Sequence, residues 1–294
     1  MNNSIKEKKI KVTITLNGGL SFNENNNTII FENLKTLCNI NFGNGAIMPS
    51  ANVRIYGLKL ENMLQLLRVK WNTSQALQNT IKIEVGEENN LSIVYQGNIT
   101  FAKPDFSGQP DIFLEIESNT AFLHQVTPAK PRSFDGEIDV ATAIETLSKD
   151  IGFIFENNGV NKKLQNQYLA DSALGQIRAI AKYADIDLYI DNDTIAITNK
   201  GEPRTIKTPV ISPETGLIGY PMPDMIGIQF KCFYDKNLRF GGLVEIKDSI
   251  LKTCNGKWRI YGMQIALESL TPNGRWEAFI KASINENGTI NVAK

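Results

Sequence analysis

The feature that most narrows the fold is a two-residue hydrophobic rhythm that fills both ends of the chain and gives way, past a proline pair, to helical spacing in its middle. Apolar and polar residues alternate from Ile10 to Leu16, around Val53 and Ile55, through Ile81, Ile83 and Val85, through Leu91, Ile93 and Tyr95, and through Ile112, Leu114 and Ile116. Alternation gives each strand one apolar face, so residues 1–130 read as mostly antiparallel β. Asn17-Gly18-Gly19, followed by Leu20 and Phe22, predicts an opening hairpin, and the polar run Glu87-Glu88-Asn89-Asn90 predicts a second. Gly57 ends the strand at Tyr56 and releases the chain into Leu60–Leu67, which is spaced for one face of a short helix. The rhythm returns at Ile226, Ile228 and Phe230, at Leu243–Ile246, at Trp258–Gly262, and at Trp276, Ala278 and Ile280, so the C-terminal part is again β.

Between these flanks the period lengthens. Pro128 and Pro131 remove backbone donors and stiffen a connector. Beyond it Asp139 is placed to cap a helix in which Val140, Ile144, Leu147 and Ile151 share a face. Phe153 and Phe155 predict a short strand, and Asp171 is placed to open a second helix with Leu174, Ile177, Ala181 and Ala184 inward. Leu188 and Ile190, the turn Asp191-Asn192-Asp193, then Ile195 and Ile197 predict a hairpin. Prolines 203, 209, 213, 221 and 223, with Gly216 and Gly219, predict a long non-repetitive second connector. The organisation expected is β over 1–130, α+β over 131–202 and β over 203–294. Arg54-Ile55-Tyr56-Gly57 recurs as Arg259-Ile260-Tyr261-Gly262, a four-residue hint that the flanks are two related barrels.

Several function classes are disfavoured. With 294 residues, 42% hydrophobic and 21% charged, the chain has the composition of a soluble globular protein. Lys+Arg and Asp+Glu are both 31, so the basic excess of a dedicated nucleic-acid binder is missing. No apolar block follows the N-terminal charged stretch, and no segment approaches the roughly 18 apolar residues of a membrane span. Cys38, Cys232 and Cys254 are too scattered for a disulfide framework and read as thiols of a reducing cytoplasm.

The chemistry-bearing residues are sparse. His124 is the one histidine, without a second His or nearby Cys for zinc, and it would be the sole base for a serine triad, so it reads as structural. Asp185, Asp187, Asp191 and Asp193 could supply paired carboxylates for glycoside cleavage or oxygen ligands for calcium. Asp191-Asn192-Asp193 is nonetheless ordinary turn chemistry, and the glycine and distal glutamate of a calcium loop are missing. Glycines 18, 19, 43, 45, 241 and 242 do not assemble into a phosphate-cradling loop and read as turns and bulges. Trp71, Trp258 and Trp276 could form a carbohydrate-stacking face, although large aromatics at alternating positions belong more naturally to a core. No catalytic, cofactor-binding or metal-binding residue is assigned.

Five stretches, taken in order, resemble a known family: Asn52–Leu58, Thr215–Pro221, Leu238–Ile246, Asn255–Ile260 and Gly274–Ala278. Together they are similar to the central baseplate hub proteins of contractile-tailed bacteriophages and related prophage or tailocin particles. The resemblance implies two β-barrel tube domains, 1–130 and 203–294, flanking a small α+β domain, 131–202, and a homotrimer closing into a ring. It implies a structural role without enzymatic activity or cofactor: joining a sixfold tail tube to a threefold central spike while letting DNA pass. The implied partners are the central spike protein, a tail tube or distal tail protein and baseplate wedge proteins, in a virion tail baseplate assembled in the bacterial host cytoplasm. A neutral chain suits a channel that must not trap phosphates. The alternatives are a tail-associated peptidoglycan hydrolase using Asp185 or Asp187 with a distant carboxylate, and a carbohydrate-binding module using the tryptophans.

Overall fold

The computed structural model describes residues 8–17, 21–22, 26–43, 47–67, 78–87 and 90–284. In chain order the first elements are β1 (Lys8–Thr15), β2 (Thr28–Phe31), β3 (Thr36–Phe42), β4 (Ser50–Tyr56) and α1 (Leu60–Leu66). There follow β5 (Thr80–Glu87), β6 (Asn90–Asp105), β7 (Phe113–Asn119) and α2 (Phe122–Val126). The middle of the chain forms β8 (Arg132–Asp139), α3 (Val140–Asp150), β9 (Ile154–Asn158), β10 (Lys163–Leu169), α4 (Ala173–Tyr183), β11 (Ile186–Asp191) and β12 (Thr194–Asn199). The last elements are β13 (Val210–Ile211), β14 (Leu217–Pro223), β15 (Gly227–Phe233), β16 (Leu243–Ile246), β17 (Gly256–Ser269) and β18 (Trp276–Ile284). The chain divides into two compact units, one of Met1–Ile40, Ser50–Leu123 and Ile265–Trp276, the other of Asn41–Pro49, His124–Gln264 and Glu277–Lys294. The protein is mainly β, and among the described residues no sheet closes into a barrel.

The first unit is a sheet with strand order β3-β4-β7-β6-β5-β1-β2. The pairings β4–β7, β7–β6, β6–β5, β5–β1 and β1–β2 are all antiparallel. Alternation delivers the core as expected: Val12, Ile14, Val53, Ile55, Ile81, Ile83, Leu114 and Ile116 are fully buried. Two expectations shift. The partner of β1 is Thr28–Phe31 rather than Leu20–Phe22: Phe22 sits in a bend, its amide donating to the Asn26 carbonyl at 2.8 Å. Gly18, Gly19 and Leu20 lie outside the described residues. In β6, Ile83 faces Tyr95 while Glu84 faces Ile93, so Val94 is an extra residue; the bulge buries Val94 and turns Ile93 outward. Gly57 ends β4 at φ +76°, as the strand-to-helix junction requires, and α1 buries Met63 and Leu66.

In the second unit α3 begins where Asp139 caps it, its Oδ1 accepting from the Thr142 amide at 2.8 Å. The cap of α4 is Ser172, one residue later than expected: its Oγ accepts from the Gly175 amide at 3.1 Å, while Asp171 accepts from the Ser172 amide. Both helices pack on the three-stranded sheet β11-β12-β9, with Val140, Ile144, Ile177, Ile180, Ile195 and Ile197 in the shared core. β12 is antiparallel to β11 and parallel to β9. β8 and β10 pair with each other and are not legible in the sequence, because neither alternates cleanly. The proline-rich stretch also yields a strand: β14 is the outer strand of β14-β15-β18, with Pro221 and Pro223 tolerated at a sheet edge and a register shift between Ile218 and Met222. The four-residue echo diverges at its glycine, since Gly57 leaves β4 whereas Gly262 stays inside β17.

Candidate functional site

The four aspartates singled out in the sequence flank β11 and its turn, and the fold sends them to different partners. Asp185 precedes β11 at φ +48° and is exposed, paired with Lys200 Nζ at 2.8 Å. Asp187 Oδ2 accepts from Arg259 Nη1 at 2.8 Å and from the Gly201 amide at 3.0 Å. Asp191, 2% exposed, receives Arg204 Nη1 and Arg239 Nε, each at 2.9 Å, on Oδ2. Asp193 is turn chemistry, its carbonyl accepting from the Ile154 amide at 2.7 Å, which ties the hairpin to β9.

Arg204, Arg239 and Arg259, none of which the sequence singles out as a site residue, thus build a polar cluster in the second unit. Arg204 is its centre and is 4% exposed. Its fork grips Glu156 twice, Nε to Oε1 at 3.0 Å and Nη2 to Oε2 at 2.7 Å, while Nη1 donates to Asp191 and to the Phe240 carbonyl at 3.0 Å. Arg259 also donates to the Tyr189 hydroxyl at 2.8 Å. Tyr189 meets Phe240 edge-on at 5.3 Å between ring centres. Gly241, at φ +80°, lets the chain pass that ring, since a Cβ there would lie 2.7 Å from it. Gly242 is pressed against Ile206 in the same way, so this glycine pair serves close packing.

Two of the carboxyls are held in their charged form. Burial pushes the Glu156 carboxyl up, but the Arg204 hydrogen bonds and charge, with help from Asn158 and Arg239, hold it below its ordinary value. Asp185 is likewise held down by Lys200. A general acid needs a carboxyl kept protonated near the working pH, and these two move in the opposite direction. Arginine cannot give up its proton, so the three guanidinium groups act here as fixed positive partners of the carboxylates. Three guanidinium groups face Glu156, Asp187 and Asp191, and the cluster is neutral.

The other candidates are dispersed. His124 lies in α2, edge-on to Phe153 with ring centres 5.8 Å apart, and burial pushes its pKa down. Among the described residues no group of three or more His, Cys, Asp or Glu side chains could hold a metal ion. Cys38, Cys232 and Cys254 are buried and free, with burial pushing the Cys38 and Cys232 thiols up to about 12. Trp276 is buried in the first unit beneath Lys8, whereas Trp258 belongs to the second and donates through Nε1 to the Cys254 carbonyl at 2.9 Å. Trp71 and Gly45 lie outside the described residues. No helix among them is long and apolar enough to cross a membrane.

The chain shares its fold with phage-type tail proteins. It aligns with a tail protein from Neisseria meningitidis MC58 at TM-score 0.61 and 9% identity, over 95% of this chain and 97% of that one. It aligns with the 43 kDa tail protein of prophage MuSo2 from Shewanella oneidensis at TM-score 0.59 and 12% identity, over 95% and 97%. The Escherichia coli c3393 protein, a type VI secretion component described as similar to T4 tail proteins gp27 and gp5, aligns at TM-score 0.60 and 10% identity, over 86% and 74%. The chain belongs to the baseplate hub gp41 family, whose model matches residues 9–277. No curated relative matches the sequence. Membership assigns a structural role in the tail baseplate of a virion.

Proposed function

We propose that this chain is the central hub of a contractile-tail baseplate: three copies close into a ring that joins the sixfold tail tube to the threefold central spike and leaves a passage for DNA. The observation that carries the reading is the family match over residues 9–277. In this reading residues 1–130 and 203–294 supply the two ring-forming β domains of each copy and residues 131–202 the small α+β domain. Two ring positions per chain in a trimer present six similar surfaces on one side and three on the other, which is the symmetry change a tube-to-spike adaptor must make. Tail tube or distal tail protein, spike protein and wedge proteins are the partners, and assembly takes place in the host cytoplasm. The balance of 31 basic and 31 acidic residues supports passage of a polyanion without capture.

The test is the mass of the purified chain by light scattering, alone and with its spike and tube partners. A trimer that persists at micromolar concentration is expected; a monomer that the partners also leave monomeric overturns the reading. The hydrolase alternative has its own test. Cell-wall turnover that disappears in Asp185→Asn or Asp187→Asn would establish it, and none is expected, because Asp185 is bound to Lys200 and Asp187 to Arg259.

A further inference from the structure

One surface of the second unit is unusually apolar for a chain that stands alone. At the end of β14 and the start of β15, Tyr220, Met222 and Ile226 each keep more than half of their surface exposed, and Met225 is fully exposed. Ile284 joins them, its amide donating to the Ile226 carbonyl at 3.4 Å, and is 41% exposed. At roughly 200 Å² for a large side chain, these five leave on the order of 600 Å² of apolar surface, the upper limit for a typical monomer. The feature is also stiff. Asp224 accepts from the amides of Ile226 and Gly227 at 2.9 and 2.8 Å and from Gln229 at 3.1 Å, locking the turn that carries Met225. A pre-organised knob loses little entropy when it docks.

The same chain carries a depression on its first unit. There β2 and α1 border a groove of about 390 Å³ whose lining combines Phe22, Ile29, Ile30, Leu34 and Leu58 with the polar Lys59, Glu61, Asn62 and Gln65. Ile30 stands 53% exposed on its wall.

We propose that the Met225 knob of one copy seats in the Phe22–Leu58 groove of a second copy of this chain, and that this contact is the repeating joint of the ring. The inference rests on the trimer reading above and names its surface. Knob and groove are different surfaces, so the contact is heterologous; it closes when rotation brings the third copy back to the first. About 600 Å² on the knob approaches the roughly 800 Å² per partner of a stable interface, the rest falling to the polar rim. Strand addition cannot substitute for this contact along the whole of β14, because Pro221 and Pro223 have no amide hydrogen to donate.

The experiment measures the mass of the full chain by light scattering for wild type, Met225→Glu and Ile30→Glu, with circular dichroism melts to establish that each variant is folded. Both positions are exposed, so wild-type melting temperatures are expected. Burying a carboxylate at either site is expected to weaken association by at least about thirtyfold, the loss of one hot-spot residue. A Met225→Cys, Lys59→Cys double variant under mild oxidation is expected to give covalent dimers and trimers, with neither single variant doing so. If wild type is a trimer and folded Met225→Glu and Ile30→Glu remain trimers, the knob-and-groove assignment fails while the hub reading stands. It fails equally if they remain trimers but lose the spike or tube partner, since the surface then belongs to that partner. If wild type is monomeric even with its partners, the hub reading itself falls.

Discussion

Replacing Arg204 by methionine keeps an unbranched apolar stem of similar reach and deletes every donor at the centre of the cluster. Asp191, 2% exposed, would keep Arg239 but lose the Arg204 bond, and the Phe240 carbonyl would lose a donor inside the fold. Glu156 is 30% exposed and can recover water, which moderates the loss. Breaking a buried ion pair by removing one partner costs about 3–5 kcal/mol; with Arg239 retained and Glu156 rehydrated, the lower end of about 3 kcal/mol applies. In a cooperative unit of this size about 1 kcal/mol lowers the melting temperature by about 2–4 °C, so a decrease of about 6–12 °C is expected by calorimetry. Arg204→Lys should fall between, because it keeps the charge and loses the bidentate fork. Lys200→Ala, which breaks the exposed pair with Asp185, should leave the melt unchanged and serves as the control. An Arg204→Met protein melting within about 2 °C of wild type would refute the argument that these charges hold the unit together.

Acid stability follows from the same cluster. The Glu156 pKa is depressed in the folded state, so its contribution is fully present above its ordinary 4.5 and is lost as pH falls through the lower folded value; the melting temperature should hold above pH 4.5, decline below it, and decline less in Glu156→Gln, as melts across that range will show. Gly241→Ala should destabilise by about 1–3 kcal/mol from the left-handed backbone alone, with further loss from the Tyr189 ring, and a neutral result in denaturant titration would contradict the packing described. The buried thiols of Cys38, Cys232 and Cys254 should react with a thiol reagent only on unfolding; a thiol that reacts at once in native protein would refute this. Linear DNA should not be retained in gel shifts at physiological salt, and tight binding with a steep salt dependence would count against a neutral passage.

Elements defined by a repeating apolar interval are legible in the sequence: α3 with its Asp139 cap, the β11–β12 hairpin, and the buried faces of β1, β4, β5 and β7 all follow from spacing alone. What escapes has physical causes. β8 and β10 are largely polar, with neither face fully buried, so they leave no alternation to detect. β14 is hidden by its prolines, which mark connectors in most contexts and are admitted here because the strand lies at a sheet edge. The bulge at Val94 inverts one strand face without any glycine to announce it. Asp171 and Ser172 are both good caps, and only the backbone decides that Ser172 fills the role.

The arginine cluster escapes for a different reason, and that reason bears on how such acidic stretches should be interpreted. Asp191 meets partners 13 and 48 residues away in sequence, and Asp187 meets one 72 residues away. No local period encodes such distances. Asp185, Asp187, Asp191 and Asp193 therefore carry the same local signature whether they are a catalytic pair, a cation loop or anchors. The distinction lies in what faces them. A carboxylate that must hold a proton needs a low-polarity wall, and one that binds a cation needs an open oxygen shell. Asp187 and Asp191 instead meet fixed guanidinium groups, which neutralise them and fix their geometry in one step. The cluster pairs three charges of each sign and so adds no net charge to the unit.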